Sequence, residues 1–250
     1  MEKIINLILV LLIVTFASIL YQCSNENITD ENINTEKLES RSSDDDCLPP
    51  LEQGCLQSDD TIDVSITMIL YNIQNCIFKV AFRRQKCYVG SMEWTFNFGD
   101  FQIIEHNCPA FNQALLDNNG AALEWFLYQF NTKVRNAIIE HYLQTVQQVE
   151  GTRVNNSYYY ASCMKACIIH IPPLGGSKGG GINQIIFVSE RCGEDCCNLQ
   201  KVYEFHNGEW VLISSGTISH TEICNPGFIS LPCGSGTIKE TDCFAQCSPN

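Results

Sequence analysis

The chain has 250 residues, 28 acidic against 15 basic side chains for a formal net charge of −13, and 15 cysteines. The acid surplus argues against a general nucleic-acid binder, which needs a basic footprint to neutralise phosphates. A composition 45% hydrophobic and 17% charged argues against global disorder, and the cysteine density argues against a reducing compartment.

Residues 4–20 are apolar except for Asn6, Thr15 and Ser18, and none is charged. A run of this length at the N-terminus reads as an export leader or a marginal membrane span. Three endings stay open: cleavage after Ala17, retention as an uncleaved anchor, or processing at Leu20-Tyr21-Gln22-Cys23 with lipid on Cys23. The stretch Cys23-Ser24-Asn25-Glu26-Asn27 behind an Ile/Leu-rich leader resembles the start of Bacteroidetes (flavobacterial) lipoproteins. That resemblance implies a signal peptide over residues 1–22, lipid on Cys23 and attachment to the outer membrane. Gln22 departs from the small residue that the pattern places before the cysteine.

Residues 23–46 read as an acidic disordered tether. From Ser24 to Asp46 there are eight acids against two bases, with Ile28, Ile33 and Leu38 as the only large apolar residues. Such a stretch cannot bury enough surface to offset its chain entropy.

Residues 47–250 then form a single stapled domain with a cysteine-rich C-terminal tail. Alternation over Val64, Ile66, Met68 and Leu70 predicts a strand, with Asn72 to Asn75 as a turn and Cys76 to Arg83 as the hairpin partner. Met92 to Ile104 reads as one or two strands broken at Gly99-Asp100. Spacings of three and four from Leu123 through Phe130, Ile138 and Val146 to Val149 predict one long amphipathic helix, with a shorter one before it at Pro109. Strand-like runs resume over residues 158–171, 182–190, 199–205 and 209–218. Asn207-Gly208 is the strongest hairpin signal, and residues 172–181 read as a glycine-rich loop. The expected fold is α+β, a mainly antiparallel sheet with that long helix packed on it, rich in disulfides.

Excluding Cys23, the cysteines are Cys47, Cys55, Cys76, Cys87, Cys108, Cys163, Cys167, Cys192, Cys196, Cys197, Cys224, Cys233, Cys243 and Cys247. Fourteen is an even number, compatible with seven disulfides. No C-x2-C pair occurs, so the groups near His170 and His220 read as bridges and no metal or cofactor site is expected.

Nucleophile elbows, H-E-x-x-H and phosphate-loop patterns are absent. Among the histidines, His106 and His170 are the candidates for a site, while His141 and His206 read as surface or packing residues. Tyr158 and Tyr160, with Trp94 and Trp210, offer a possible stacking surface for sugars. The acids Asp59-Asp60 and the bases Arg83, Arg84 and Lys86 read as solvated. Asn155-Asn156-Ser157 fits the N-glycosylation pattern of a eukaryotic secretory route.

The resulting expectation is a membrane-anchored extracytoplasmic lipoprotein with a binding or structural role. Its partners would be the bilayer through the N-terminal anchor, and another envelope protein or a glycan, with no nucleic acid. One alternative is a secreted hydrolase built from scattered residues near His106 or His170. Another is a eukaryotic secreted disulfide-rich glycoprotein.

Overall fold

Two long strands open the fold, β1 (Cys55–Met68) and β2 (Ile73–Gly90), paired antiparallel from Cys55 opposite Cys87 to Met68 opposite Ile73. The computed structural model describes residues 47–90, 92–171, 184–193, 195–219, 233 and 236–247. All belong to one compact unit, Ser43–Asn250. The leader, the acidic tether with Cys23, the whole glycine-rich stretch 172–181, His220 and Cys224 lie outside the described residues.

The first hairpin is longer than alternation predicts, because its outer half carries charge. Arg83 donates to Asp59 directly across the ladder, and Arg84 donates to both Asp60 and Ser58. Cross-strand opposite charges and a Cys55–Cys87 bridge thus hold a segment that has few apolar residues. At the tip a short 3-10 turn, Ile69–Tyr71, leads into Asn72 at φ 55°. An asparagine tolerates that left-handed conformation better than most residues.

β3 (Glu93–His106) continues the sheet as one strand, with the expected break reduced to a bulge. Phe101 pairs with Phe82 and Phe98 with Arg84, so Gly99 and Asp100 together face the single residue Arg83. The extra residue lets Phe98 and Phe101 both point inward although they are three apart. The Leu48 side chain lies over Gly99, and a Cβ at that position would force the end of that side chain to move.

Two helices follow, the shorter one expected from Pro109 and a longer one: α1 (Pro109–Asp117) and α2 (Ala121–Leu143). Pro109 sits at the start of α1, where a missing N–H costs nothing. The helical spacing runs on to Val149, but α2 stops at Leu143. Thr145 closes its end by donating both its backbone N–H and its hydroxyl to the Tyr142 carbonyl. Polar and apolar residues are not cleanly divided around α2, since Asn131 and Arg135 are buried while Trp125 is exposed.

The two helices form the crossover between β3 and β4 (Arg153–Ala161), which pair in parallel from Glu93–Arg153 to Phe98–Tyr158. β4 then pairs antiparallel with β7 (Cys196–His206), and β7 with β8 (Glu209–Ser219). The six-stranded sheet therefore runs β1-β2-β3-β4-β7-β8, and every pair but β3–β4 is antiparallel. The apolar run at 158–171 is two strands. At Ser162 the chain leaves the large sheet, and β5 (Cys163–Ile171) joins a second one with β6 (Gln184–Arg191), β9 (Thr237–Glu240) and β10 (Phe244–Ala245). Between β7 and β8, Asn207 and Gly208 have φ values of 53° and 86°, the two positive angles that a type I′ turn demands.

The core fills the space between the sheets and around the helices. Phe78, Phe111, Phe126 and Phe130 form a continuous aromatic cluster, reached from the second sheet by Phe187. Tyr142, near the end of α2, lies against Phe82, Phe96 and Phe98.

Six bridges join described residues: Cys47–Cys196, Cys55–Cys87, Cys76–Cys108, Cys167–Cys233, Cys192–Cys243 and Cys197–Cys247. Cys163 is also disulfide-bonded. Three of these bridges pin the C-terminal segment to β5, β7 and the turn between β6 and β7. Among the described residues of that segment the strands are short, four residues in β9 and two in β10, so covalent links add to what pairing supplies.

Candidate functional site

Beneath α2 runs a seam of buried polar groups. Arg135 is 2% exposed, lies 3.6 Å from the Asp100 carboxylate that the β3 bulge aims inward, and stacks 3.6 Å above the Tyr160 ring. From the C-terminal segment, Gln246 accepts from Asn131 at 3.1 Å and from Arg135 at 3.4 Å. Arg135 Nε, Asn131 Oδ1, Gln246 Nε2 and the Tyr158 hydroxyl are buried without a hydrogen-bond partner. Burial pushes the Asp100 carboxyl above the usual carboxylate range, although Arg135 and the Phe101 N–H pull it back. The arrangement is a buried ion pair, with the Arg135 and Asp100 side chains only 2% and 10% exposed. Its chemistry is positional: it fixes α2, the bulge and the C-terminal segment relative to one another.

The same face dissolves part of the expected sugar-stacking surface. Tyr158 and Tyr160 do share a face, but that face is the core, where Arg135 lies over their rings, closest to Tyr160. Trp94 packs on Tyr88 with Lys86 above its ring at 4.4 Å, and Trp210 packs on Phe205.

Asp60 is not solvated as expected. It accepts from Arg84, Ser58 is bonded to the same arginine, and the Tyr142 hydroxyl donates to it from α2. Burial alone works to raise this carboxyl. The hydrogen bonds from Arg84, Tyr142 and Ser58 outweigh it and hold Asp60 below the ordinary value.

The four described histidines lie in separate surroundings. His106 is 8% exposed and sits between the Phe78 and Phe111 rings. Its Nε2 lies 2.8 Å from the Ile185 carbonyl, which only accepts, so Nε2 carries the proton. Nδ1 is buried without a partner, and burial pushes the ring's pKa below its ordinary value despite the bond to Ile185. His170 is half-buried on β5, with its backbone N–H bonded to Gly236. His141 is exposed beside the Tyr142 ring, and His206 pairs with Glu150.

The thiols near His170 do not form a metal centre. Cys167, Glu190 and Cys233 converge closely enough to hold an ion, but Cys167 and Cys233 are bonded to each other. A disulfide leaves no thiolate to coordinate. Nor does Asn155 suit a glycan: it lies mid-strand in β4 with its amide donating to Glu93 at 2.8 Å.

The feature that sequence reasoning missed is at the start of α2. Trp125 is 55% exposed, with its ring 5.7 Å from Tyr128 and only 22° from parallel. The pair borders a shallow depression of about 280 Å³, completed by Glu124, Ala121 and the Phe244–Ala245 segment with Cys247. Burial raises the Glu124 carboxyl above its ordinary value, and the charge of Asp242 adds to the effect. The signal in the sequence was positional. Trp125 falls off the face marked by Leu123, Phe126, Leu127 and Phe130, so a helix packed by those residues turns it to solvent. An aromatic shelf beside a hydrogen-bond-accepting carboxylate can bind the apolar face of a ring while engaging its hydroxyls. Compared with known protein families, curated proteins and solved structures, the chain matches none.

Proposed function

We propose that this chain is an exported, lipid-anchored binding protein of the cell envelope, held at the outer membrane through Cys23, whose domain offers the Trp125–Tyr128 shelf to a glycan. The observation that carries the binding role is the exposed, near-parallel ring pair over a depression. Large aromatic rings are costly to leave in water, and an exposed tryptophan in a concavity marks a site of contact. The apolar leader, the acidic spacer and the disulfide bonds support the envelope address. The hydrolase reading draws less support, because the His106 ring is enclosed by aromatic residues rather than facing a cleft.

The test is titration of the detergent-extracted protein with a panel of neutral oligosaccharides, followed by tryptophan fluorescence. Binding should occur, and Trp125→Ala should weaken it at least tenfold while leaving the melting temperature almost unchanged, since the side chain is exposed. Trp94→Phe and Trp210→Phe should bind normally. Binding that ignores Trp125, or no binding by any sugar in the panel, would remove the glycan reading.

A further inference from the structure

The β1–β2 hairpin ends in an apolar tip. Ile69 and Leu70, in the 3-10 turn, are 83% and 81% exposed, the highest values of any large hydrophobic side chain among the described residues. A tight turn in water ordinarily carries Gly, Asn, Asp, Ser or Pro instead. The base of this turn is fixed in the core: Met68 and Ile73 are buried, and the Tyr71 ring packs edge-on against Phe126 of α2 at 4.6 Å. The two aliphatic side chains therefore stand out from a packed support. Polar groups around them are paired within the tip. The Asn72 N–H donates to the Ile69 carbonyl, and Thr67 Oγ1 accepts from the Asn75 N–H while donating to Asn75 Oδ1. A polar group that keeps its hydrogen bond loses far less on leaving water than an unpaired one. No charged residue lies between Asp63 and Lys79, which face each other across the ladder. That first pair of charges stands five residues, about 17 Å, behind Met68.

We propose that this tip enters the hydrocarbon edge of the bilayer that carries the Cys23 anchor, giving the domain a second point of membrane contact; the proposal rests on that anchor. Area and chemistry select lipid over protein. Two side chains fall far short of the roughly 1,000 Å² that a specific protein interface buries, and the tip offers a partner no charge. A bilayer requires neither matching shape nor polar contacts, only apolar side chains that reach it. Reach is ample. The 23 residues between Cys23 and Cys47 span up to about 80 Å, whereas the 14 residues of β1 measure about 47 Å. At −13 overall the chain gains nothing from an anionic surface, so the contact is with zwitterionic lipid.

The full chain, extracted in mild detergent, is reconstituted into phosphatidylcholine vesicles with or without bromine on the acyl chains, which quenches tryptophan on contact. Relative to the unsubstituted chain, Leu70→Trp should add a blue-shifted emission that brominated lipid quenches. Leu56→Trp, at the far end of the same hairpin and 75% exposed in the native residue, should add neither. Placing Ile69→Asp in the Leu70→Trp chain brings a carboxylate to the hydrocarbon, and should at least halve the quenching without moving the melting temperature. A chain that floats with the vesicles but is quenched no more at position 70 than at 56 would overturn the insertion and leave the anchor standing. A chain that does not float would overturn the anchor and the insertion with it. A blue shift at position 70 without quenching would set the tip against protein, and would equally overturn the proposal.

Discussion

His106 shows how one side chain sets both local packing and a pH response. The ring must stay neutral, because a proton on Nδ1 would have no acceptor among the buried aromatic residues. Its folded pKa is lowered, so between the ordinary value near ~6.5 and the lower folded value only the unfolded chain takes up the proton. Stability contributed by neutral His106 is therefore fully present above that window and declines as pH falls through it. His106→Phe keeps the ring and removes both the titration and the bond to Ile185. At pH 8 the variant should be less stable by about 1 kcal/mol, the net worth of one hydrogen bond. As pH falls from 7.5 to 5.5 the gap should narrow, read from urea melts at each pH. A gap that stays constant would mean that His106 does not carry this pH dependence. Arg135 is the other residue whose role is isolation from water. Removing one partner of a buried ion pair strands the other. Arg135→Met should cost roughly 3 kcal/mol in the same urea assay. Adding Asp100→Asn should restore part of that loss, because the stranded charge is then gone; a double variant no better than the single would show that lost packing on Tyr160 dominates.

At the scale of elements, legibility followed the source of each element's stability. Strands held by apolar alternation or a turn signal were readable: Val64 to Met68, residues 209–218 and the Asn207-Gly208 hairpin all lie in such elements. The outer half of the β1–β2 hairpin was not, because its acids look solvated until Arg83 and Arg84 are known to lie across the ladder. The bulge at Gly99-Asp100 read as a strand break, since a local pattern cannot distinguish a chain that ends from one that gains a residue. Likewise the apolar run across Ser162 concealed a change of sheet, which depends on the distant β7 and β10. The same limit applied to the sites. Tyr158 and Tyr160 were rightly placed on one face, but whether that face meets water or Arg135 is decided by α2. Trp125 stood in plain view on the helix, yet an aromatic off the apolar face becomes informative only when the surrounding depression is known.

For the whole molecule, the decisive quantity is the pairing of its 15 cysteines. Among the described residues thirteen cysteines are disulfide-bonded, and twelve of them form six bridges with one another. The thirteenth, Cys163, therefore has its partner outside those residues, where the remaining cysteines are Cys23 and Cys224. The proposed anchor would couple to folding: lipid on Cys23 would consume its sulfur and leave Cys224 as the partner for Cys163. Peptide mapping of unreduced, membrane-extracted protein should yield a Cys163–Cys224 peptide together with an acylated N-terminal Cys23. A Cys23–Cys163 peptide would refute the lipid anchor while leaving the domain's staples complete. Each bridge typically contributes about 2–4 kcal/mol by restricting the unfolded chain, and even two or three would match the roughly 5–15 kcal/mol net stability of a domain. The bridges are not equivalent, however. Cys55–Cys87 joins strands that already pair along their length, whereas Cys192–Cys243 and Cys197–Cys247 hold a segment with two ladder residues in β10. Graded reduction, followed by hydrogen exchange, should release the amides of residues 237–247 well before those of β1 and β2. Gln246 leaves with that segment, so the Asn131 and Arg135 contacts beneath α2 should loosen in the same step. Simultaneous loss of protection in both regions would show that the tail and the large sheet unfold as one unit.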